Sequence, residues 1–466
     1  MVLSKKRVIQ TIVIHRLIVY IIQWVASSFD FSTDAFKGLP DGTRNESMYL
    51  LFNGLVRWDS LQFLHIAKYG YIYEHSLAFF PLFPTLIRTI SLFCPRRLFS
   101  LSTSIVFSGV ILNLFFFILS SLIIRDISLK ISRSQKIADI SLLLFSINPA
   151  SIFFSSLYTE SLYSFMSFVG IWAHFEYNNN VYLRLTIVPI VFSAAVLTRS
   201  NGLFNICYIL FYEAVFLIRN SKRRLWEEII LEQFIKIGFV VIRLIFSIGF
   251  ILFCLHAYSK HQHNRFCSLD HISIPSHMLQ YGRDNNLTVI GDVFPWCNIE
   301  YILIPSFYSS IQERYWNVDL FGYWKISKLP CFLMATPAII LTLVSISNVF
   351  TRFITNGLEW TIDRNGDTVP FAFHSIALLI PALFVYNVEV FTRIVFCSSP
   401  LLYIELARIL SDNTPKVTVY DLDKPTIFPF IYYLSFRKDL SYFIALYFMS
   451  YYLIGSVMHS SFLPFT

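Results

Sequence analysis

Apolar runs, most of them near the length that crosses a bilayer, alternate with short polar or basic segments along almost the whole chain. A helical crossing needs roughly 20 apolar residues. The pattern predicts spans at about 8–26, 104–124, 137–157, 160–175, 185–198, 203–218, 237–256, 329–348, 370–392, 394–411 and 427–460. The last has room for one crossing or two. Some runs are short and interrupted, as at Asn148-Pro149. Broken backbone is tolerated at membrane depth where protein encloses it. The proline-bearing segment 79–94 either crosses or lies in the interface. These elements predict an all-α polytopic membrane protein of roughly 10–12 transmembrane helices. It is expected to form one domain over 1–466, with long polar loops at about 27–80 and 257–328.

Composition agrees. The 466 residues are 55% hydrophobic, 18% aromatic and 14% charged, with a mean hydropathy of +0.59. A soluble domain carries about 25% charged residues, so a water-facing surface is excluded for most of the chain. The net charge of +8 comes from short clusters between apolar runs, which is loop usage in membrane proteins and not a nucleic-acid stripe. Basic residues concentrate in 1–7, 125–136 and 219–224, which the positive-inside tendency places in the cytosol. The two long loops then fall on the opposite face, provided 79–94 does not fully cross. Both sequons, Asn45-Glu46-Ser47 and Asn286-Leu287-Thr288, lie in those loops, where N-glycosylation occurs. So do Cys267 and Cys297, a disulfide pair in an oxidising compartment and two free thiols otherwise. The apolar stretch after Lys5-Lys6-Arg7 is broken by His15-Arg16 and lacks a cleavage signal, so it is expected to remain as the first span.

Polar residues in apolar surroundings are the candidate chemistry. Arg57-Trp58-Asp59 opens an amphipathic interfacial helix running through His65. Asp59 is either its N-cap or a general base made stronger by partial desolvation. The segment Tyr73-Glu74-His75 with Phe79-Phe80-Pro81 forms either a sugar-gripping wall or an interfacial aromatic belt. Glu160 and Arg199 sit at span boundaries, where Arg199 can pair with a phosphate, with Glu160 or with a lipid headgroup. His374 and Arg393 are further intramembrane polar groups. No metal site is expected: there is no CxxC pair, and Asp421-Leu422-Asp423 falls in a loop assigned to the cytosol.

In order along about 55–405, these blocks resemble one family. They are Arg57-Trp58-Asp59 with Phe63 to Ala67, Gly70-Tyr71, Tyr73-Glu74 and Ala78 to Pro84; Asn148-Pro149-Ala150-Ser151 with Tyr158-Thr159-Glu160-Ser161; and Thr198-Arg199-Ser200-Asn201-Gly202. Pro295-Trp296-Cys297, Ile311-Gln312, Tyr315-Trp316-Asn317-Val318, Lys328-Leu329-Pro330, His374, Arg393 and Ser398-Ser399-Pro400 with Tyr403 continue the match. The set is similar to the second GPI mannosyltransferase, the PIG-V family.

That resemblance implies a GT-C-type glycosyltransferase bundle in the endoplasmic reticulum membrane, with interfacial helices in its first luminal loop. It implies transfer of an α-1,6-linked mannose from dolichyl-phosphate mannose to a GPI precursor, with inversion and without a cofactor. Asp59 is then the expected base. Arg199, with Arg57 and His65 behind it, would meet the phosphate. Glu160 would orient the acceptor or pair with Arg199, and Trp58 and Trp316 would stack on sugars. Glu74, Asn201 and Asn317 complete the expected substrate-binding set. Relatives of this kind can depend on an accessory membrane subunit. Three competing expectations remain: another dolichyl-phosphate-sugar-dependent transferase, a transporter, and a non-catalytic subunit. A transporter would carry repeated halves, and none is visible.

Overall fold

The computed structural model describes residues 5–29, 31, 50–95, 97–177, 180–221, 226–268, 274–298, 306–363, 366–412 and 439–465. Asn45 and the Asp421–Asp423 pair lie outside them. Among the described residues, seven helices are long and apolar enough to cross a membrane, or eight if one bent pair counts as a span.

The chain enters through α1 (Lys5–Ala26) and returns to the same end in two short helices, α2 (Asp59–Tyr69) and α3 (Leu82–Ser91). With only 10 residues, α3 is too short to cross, so the segment 79–94 packs beside the bundle. A long helix, α4 (Leu101–Ser132), then runs to the opposite end, capped at its start by the Ser100 hydroxyl accepting from the Thr103 N–H at 3.2 Å.

The return crossing breaks at the interruption the sequence carries. Within 137–157, α5 (Gln135–Ser146) stops after 12 residues, just before Asn148-Pro149, and turns carry the backbone to Glu160. Carbonyls freed from helical bonding must find donors inside the protein. Arg16 on α1 supplies some, donating to the Ser146 carbonyl at 2.7 Å and the Ser151 carbonyl at 2.9 Å. Asn113 on α4 donates to the Ser156 and Tyr158 carbonyls at 2.5 and 3.1 Å. The polar interruption of the first span is thus a support for broken backbone elsewhere.

Four helices follow: α6 (Glu160–Glu176), α7 (Val181–Thr198), α8 (Ile206–Ser221) and α9 (Trp226–Cys267). Much of α9 faces outward, with Ile242, Ile245, Phe246 and Phe253 exposed, as a lipid-facing helix requires. A cap at the α2 end comprises α10 (Ser276–Asp284) and α11 (Ser306–Trp316). It has its own small core, including Tyr73, Leu77, Phe266, Phe294, Trp296 and Phe307. Cys267 at the end of α9 is disulfide-bonded to Cys297, with Cα atoms 5.7 Å apart.

The chain then runs through α12 (Leu329–Asp363), kinked at Gly357 where φ is +81°, and returns in a shorter apolar helix, α13 (Val369–Phe384). Next come α14 (Phe391–Ser398) and α15 (Leu401–Asp412), a pair bent by 77° at its break. The break falls at Ser399-Pro400, where proline removes a backbone donor. Over the described part of the last apolar run, α16 (Leu440–Ser450), a π-turn (Tyr451–Gly455) and α17 (Ser456–Ser460) form one crossing. At the end away from α2, Arg352 forms a bidentate pair with Glu405 at 2.8 and 2.6 Å, and Arg408 holds Asp367 at 2.8 Å. These bonds tie α12, the start of α13 and α15 together.

Candidate active site

At the α2 end, four segments distant in sequence bring their charges together. Asp59 is the first residue of α2, and its N-cap position is taken by Trp58, whose φ is +55°. That conformation is uncommon for any non-glycine residue, and strain of this kind gathers at functional sites. The N-cap reading of Asp59 is therefore corrected: Trp58 holds that position, without a side-chain cap hydrogen bond of its own. The Asp59 carboxylate instead turns to α14, where Arg393 Nη1 donates to Oδ2 at 3.0 Å. The Asp59 N–H donates to Tyr158 Oη at 3.2 Å. Its side chain is 36% exposed, and among the described residues Oδ1 accepts no hydrogen bond.

Behind Asp59 lies Glu160, fully buried at the start of α6. Glu160 Oε1 accepts from Arg199 and lies 3.4 Å from Arg393 Nε, while its Oε2 has no hydrogen-bond partner among the described residues. Arg199 also donates to Thr159 Oγ1 at 3.1 Å and Asn201 Oδ1 at 3.2 Å. Asn201 in turn donates to Ser398 Oγ at 2.9 Å, closing the circuit onto α14. The Thr198 to Gly202 motif makes this geometry possible. A Cβ on Gly202 would lie 2.6 Å from the backbone of Ala195 and Val196, so only glycine lets the turn pack against α7.

Arg57 is buried, with its guanidinium 4.4 Å from the Phe462 ring centre. Trp58 meets the same ring at 5.8 Å. His459 of α17 packs edge-on to Phe153 and Tyr158 at 5.2 and 5.7 Å, the two rings that the Arg393 guanidinium also faces.

Other expected residues lie elsewhere. Glu74 is 2% exposed in the cap, where it accepts from Trp296 Nε1 at 2.8 Å, Arg314 Nη1 at 2.7 Å and Tyr315 Oη at 2.9 Å. It ties the first loop to the second, beside an isolated bridge between Tyr73 and Val289. Trp316 packs edge-on to Phe79 at 6.1 Å, and the exposed Asn317 turns the chain with a φ of +52°. His65 stacks on Tyr73 at 5.1 Å, and burial lowers its pKa to about 3, with His75 and Lys68 adding to the effect. It is therefore neutral near pH 7 and cannot meet a phosphate as a cation. His374 on α13 stacks on Tyr208 at 4.7 Å, outside the carboxylate cluster. Asn286 sits on an exposed turn of the cap with a φ of +54°.

The residue that sequence reasoning left out of its substrate-binding set is Arg393. Its signal was present, a cation at a span end followed by Ser398-Ser399-Pro400, but its partner stands 334 residues away.

A polytopic helical membrane protein, with a carboxylate–arginine site open at one end of its bundle, is the class these features define. The chain belongs to the mannosyltransferase (PIG-V) family, whose model matches residues 5–466. It is 29% identical to the Caenorhabditis elegans GPI mannosyltransferase pigv-1 over 97% of this chain and 79% of that one. It is 28% identical to GPI alpha-1,6-mannosyltransferase 2 of Mus musculus and 27% identical to that of Homo sapiens, each over 99% of both chains. Among solved structures, the archaeal oligosaccharyltransferase AglB from Archaeoglobus fulgidus is similar, with a TM-score of 0.45 and 13% identity. That match covers 97% of this chain but only 56% of the other.

Proposed function

We propose that this protein transfers mannose, in α-1,6 linkage, from dolichyl-phosphate mannose to a GPI precursor at the luminal face of the endoplasmic reticulum, with Asp59 as general base. The observation that carries the proposal is the partly open Asp59 carboxylate, held through Oδ2 by Arg393 with Oδ1 left for a substrate. An α product from a β-linked donor requires inversion, and inversion needs one base for the acceptor hydroxyl and no protein nucleophile. General-base assistance is typically worth about 10²–10⁴-fold.

Fixed cations support a phosphate-linked donor. Arg199 and Arg393 stand beside Asp59 and Glu160 at the site. A phosphodiester brings one negative charge, and fixed cations stabilise the charge that grows as it departs. The luminal assignment is supported by the basic segment 125–136, which joins α4 to α5, and by Arg219 in the last turn of α8, both at the end opposite Asp59.

The test is mannosyl transfer in microsomes from cells lacking the endogenous enzyme, with a one-mannose GPI precursor as acceptor. Asp59→Asn should abolish formation of the two-mannose product and the return of GPI-anchored proteins to the cell surface, at undiminished protein level. Full activity in that variant would remove Asp59 from the reaction.

A further inference from the structure

The Asp59–Arg393 pair is an unusual ion pair in how firmly one partner is anchored. Arg393 is 13% exposed, and its guanidinium lies 5.2 Å from the Phe153 ring centre and 5.4 Å from that of Tyr158. Glu160 stands 3.4 Å behind its Nε. Tyr158, one of the two rings against Arg393, also accepts the Asp59 N–H. The carboxylate is thus fixed at side chain and main chain by one assembly. That assembly hangs on the break between α14 and α15, which lets a short helix point Arg393 at α2.

We infer that Arg393 is the positioning residue for Asp59, and that its charge passes from this carboxylate to the leaving phosphate during transfer. The inference rests on the mannosyl-transfer reading above. In that step the acceptor O–H bond breaks and its proton goes to Asp59 Oδ1. The acceptor oxygen forms a bond to the anomeric carbon. The bond from that carbon to the phosphate oxygen breaks, and the electron pair leaves with the phosphate, turning a phosphodiester monoanion into a phosphomonoester dianion. Asp59 loses a negative charge as the phosphate gains one, so the total charge of the site does not change. Arg393 is released from its counterion as a new anion forms, while Glu160 and the two rings still hold it in place. Fixed charges that need no rearrangement are the most effective kind of electrostatic stabilisation.

The experiment measures kcat and KM for both substrates in microsomes, using a synthetic polyprenyl-phosphate mannose and a one-mannose GPI lipid. Arg393→Ala should lower kcat by about 100-fold or more, as expected when a reacting group is misplaced by about 1 Å, with both KM values within about threefold of wild type. Arg393→Lys should retain part of the rate, because it keeps the charge but not the fork. Millimolar guanidinium should restore Arg393→Ala at least about 10-fold, by refilling the vacated cation position, and should do nothing for Asp59→Asn. Arg393→Met keeps packing over Phe153 and Tyr158, and carries the same test if the alanine variant does not fold. An unchanged kcat in either folded variant overturns the inference, as does a loss confined to KM or one that guanidinium cannot reverse. Wild-type protein without transfer, or a fully active Asp59→Asn, sinks the mannosyl-transfer reading itself. A dead Asp59→Asn beside a fully active Arg393→Met sinks this inference alone.

Discussion

His65 and His75 sandwich Tyr73 in the cap, with ring centres 5.1 and 5.8 Å from it. Burial lowers the first to about 3 and the second to about 4. Both folded-state values lie below the ordinary 6.5, so the unfolded chain binds more protons between them and stability rises with pH. The contribution is whole above about pH 6.5 and is lost as pH falls toward 4. At pH 5.5, one unit below the unfolded value, each histidine should cost about 1.4 kcal/mol. Hydrogen exchange of the cap in detergent at pH 7.0 and 5.5 should show protection falling. A His65→Gln, His75→Gln double variant should flatten that dependence; an unchanged slope would place the pH response elsewhere. Arg199 poses a different residue-scale question. It was expected to meet phosphate, yet its guanidinium is taken up by Glu160, Thr159 and Asn201. Removing one partner of a buried pair costs roughly 3–5 kcal/mol, because the other charge is stranded. Arg199→Ala should therefore lower thermal stability by about that amount, and a second change, Glu160→Gln, should recover much of it. A stable but slow Arg199→Ala would return the residue to phosphate binding.

At the scale of elements, legibility divides by whether a feature is local. The apolar runs that predict α1, α4, α9 and α12 do so because lipid demands one residue class over a fixed length. Helix α2 shows itself through its amphipathic pattern. The early end of α5 also shows locally, at Asn148-Pro149, but the donors that support the broken backbone do not. Arg16 stands 130 residues from the Ser146 carbonyl it serves. The same blindness hides Arg393 from Asp59 and Glu74 from Trp296. Single sequences reveal which residues are out of place, and Arg16 and Glu74 were visible as such, but not what they meet. An Arg16→Leu variant tests this account. Two carbonyls at membrane depth would lose their donor, at about 1–3 kcal/mol for each unsatisfied group. Thermal unfolding in detergent should drop accordingly, whereas a neutral result would mean that water or a neighbour serves those carbonyls instead. The Cys267–Cys297 bond joins the end of α9 to the turn that carries Trp296, across a separation of 30 residues. Chain entropy alone makes such a closure worth about 3–4 kcal/mol.

For the whole molecule, the distribution of charge sets an orientation that can be measured. One end carries the Asp59 cluster and the cap, and the other carries the basic connection after α4 and Arg219 in the last turn of α8, together with the Arg352–Glu405 and Arg408–Asp367 pairs. Lysine and arginine in short loops stay in the cytosol during insertion, which would send the cap to the lumen. Asn286 then becomes the reporter. It is exposed, on a turn at the outer surface of the cap, and Thr288 two residues on completes its sequon. Oligosaccharide is added only on the luminal side, so endoglycosidase should sharpen and shift the wild-type band on a gel. Asn286→Gln should remove part of that shift, and Asn45→Gln in addition should remove whatever remains. A sequon can go unused, so the decisive companion is a cysteine placed at Asn286 and challenged with an impermeant thiol reagent in sealed microsomes. Protection until detergent is added agrees with a luminal cap. Labelling of intact vesicles would put Asp59 on the cytosolic face, where dolichyl-phosphate mannose presented to the lumen could not reach it.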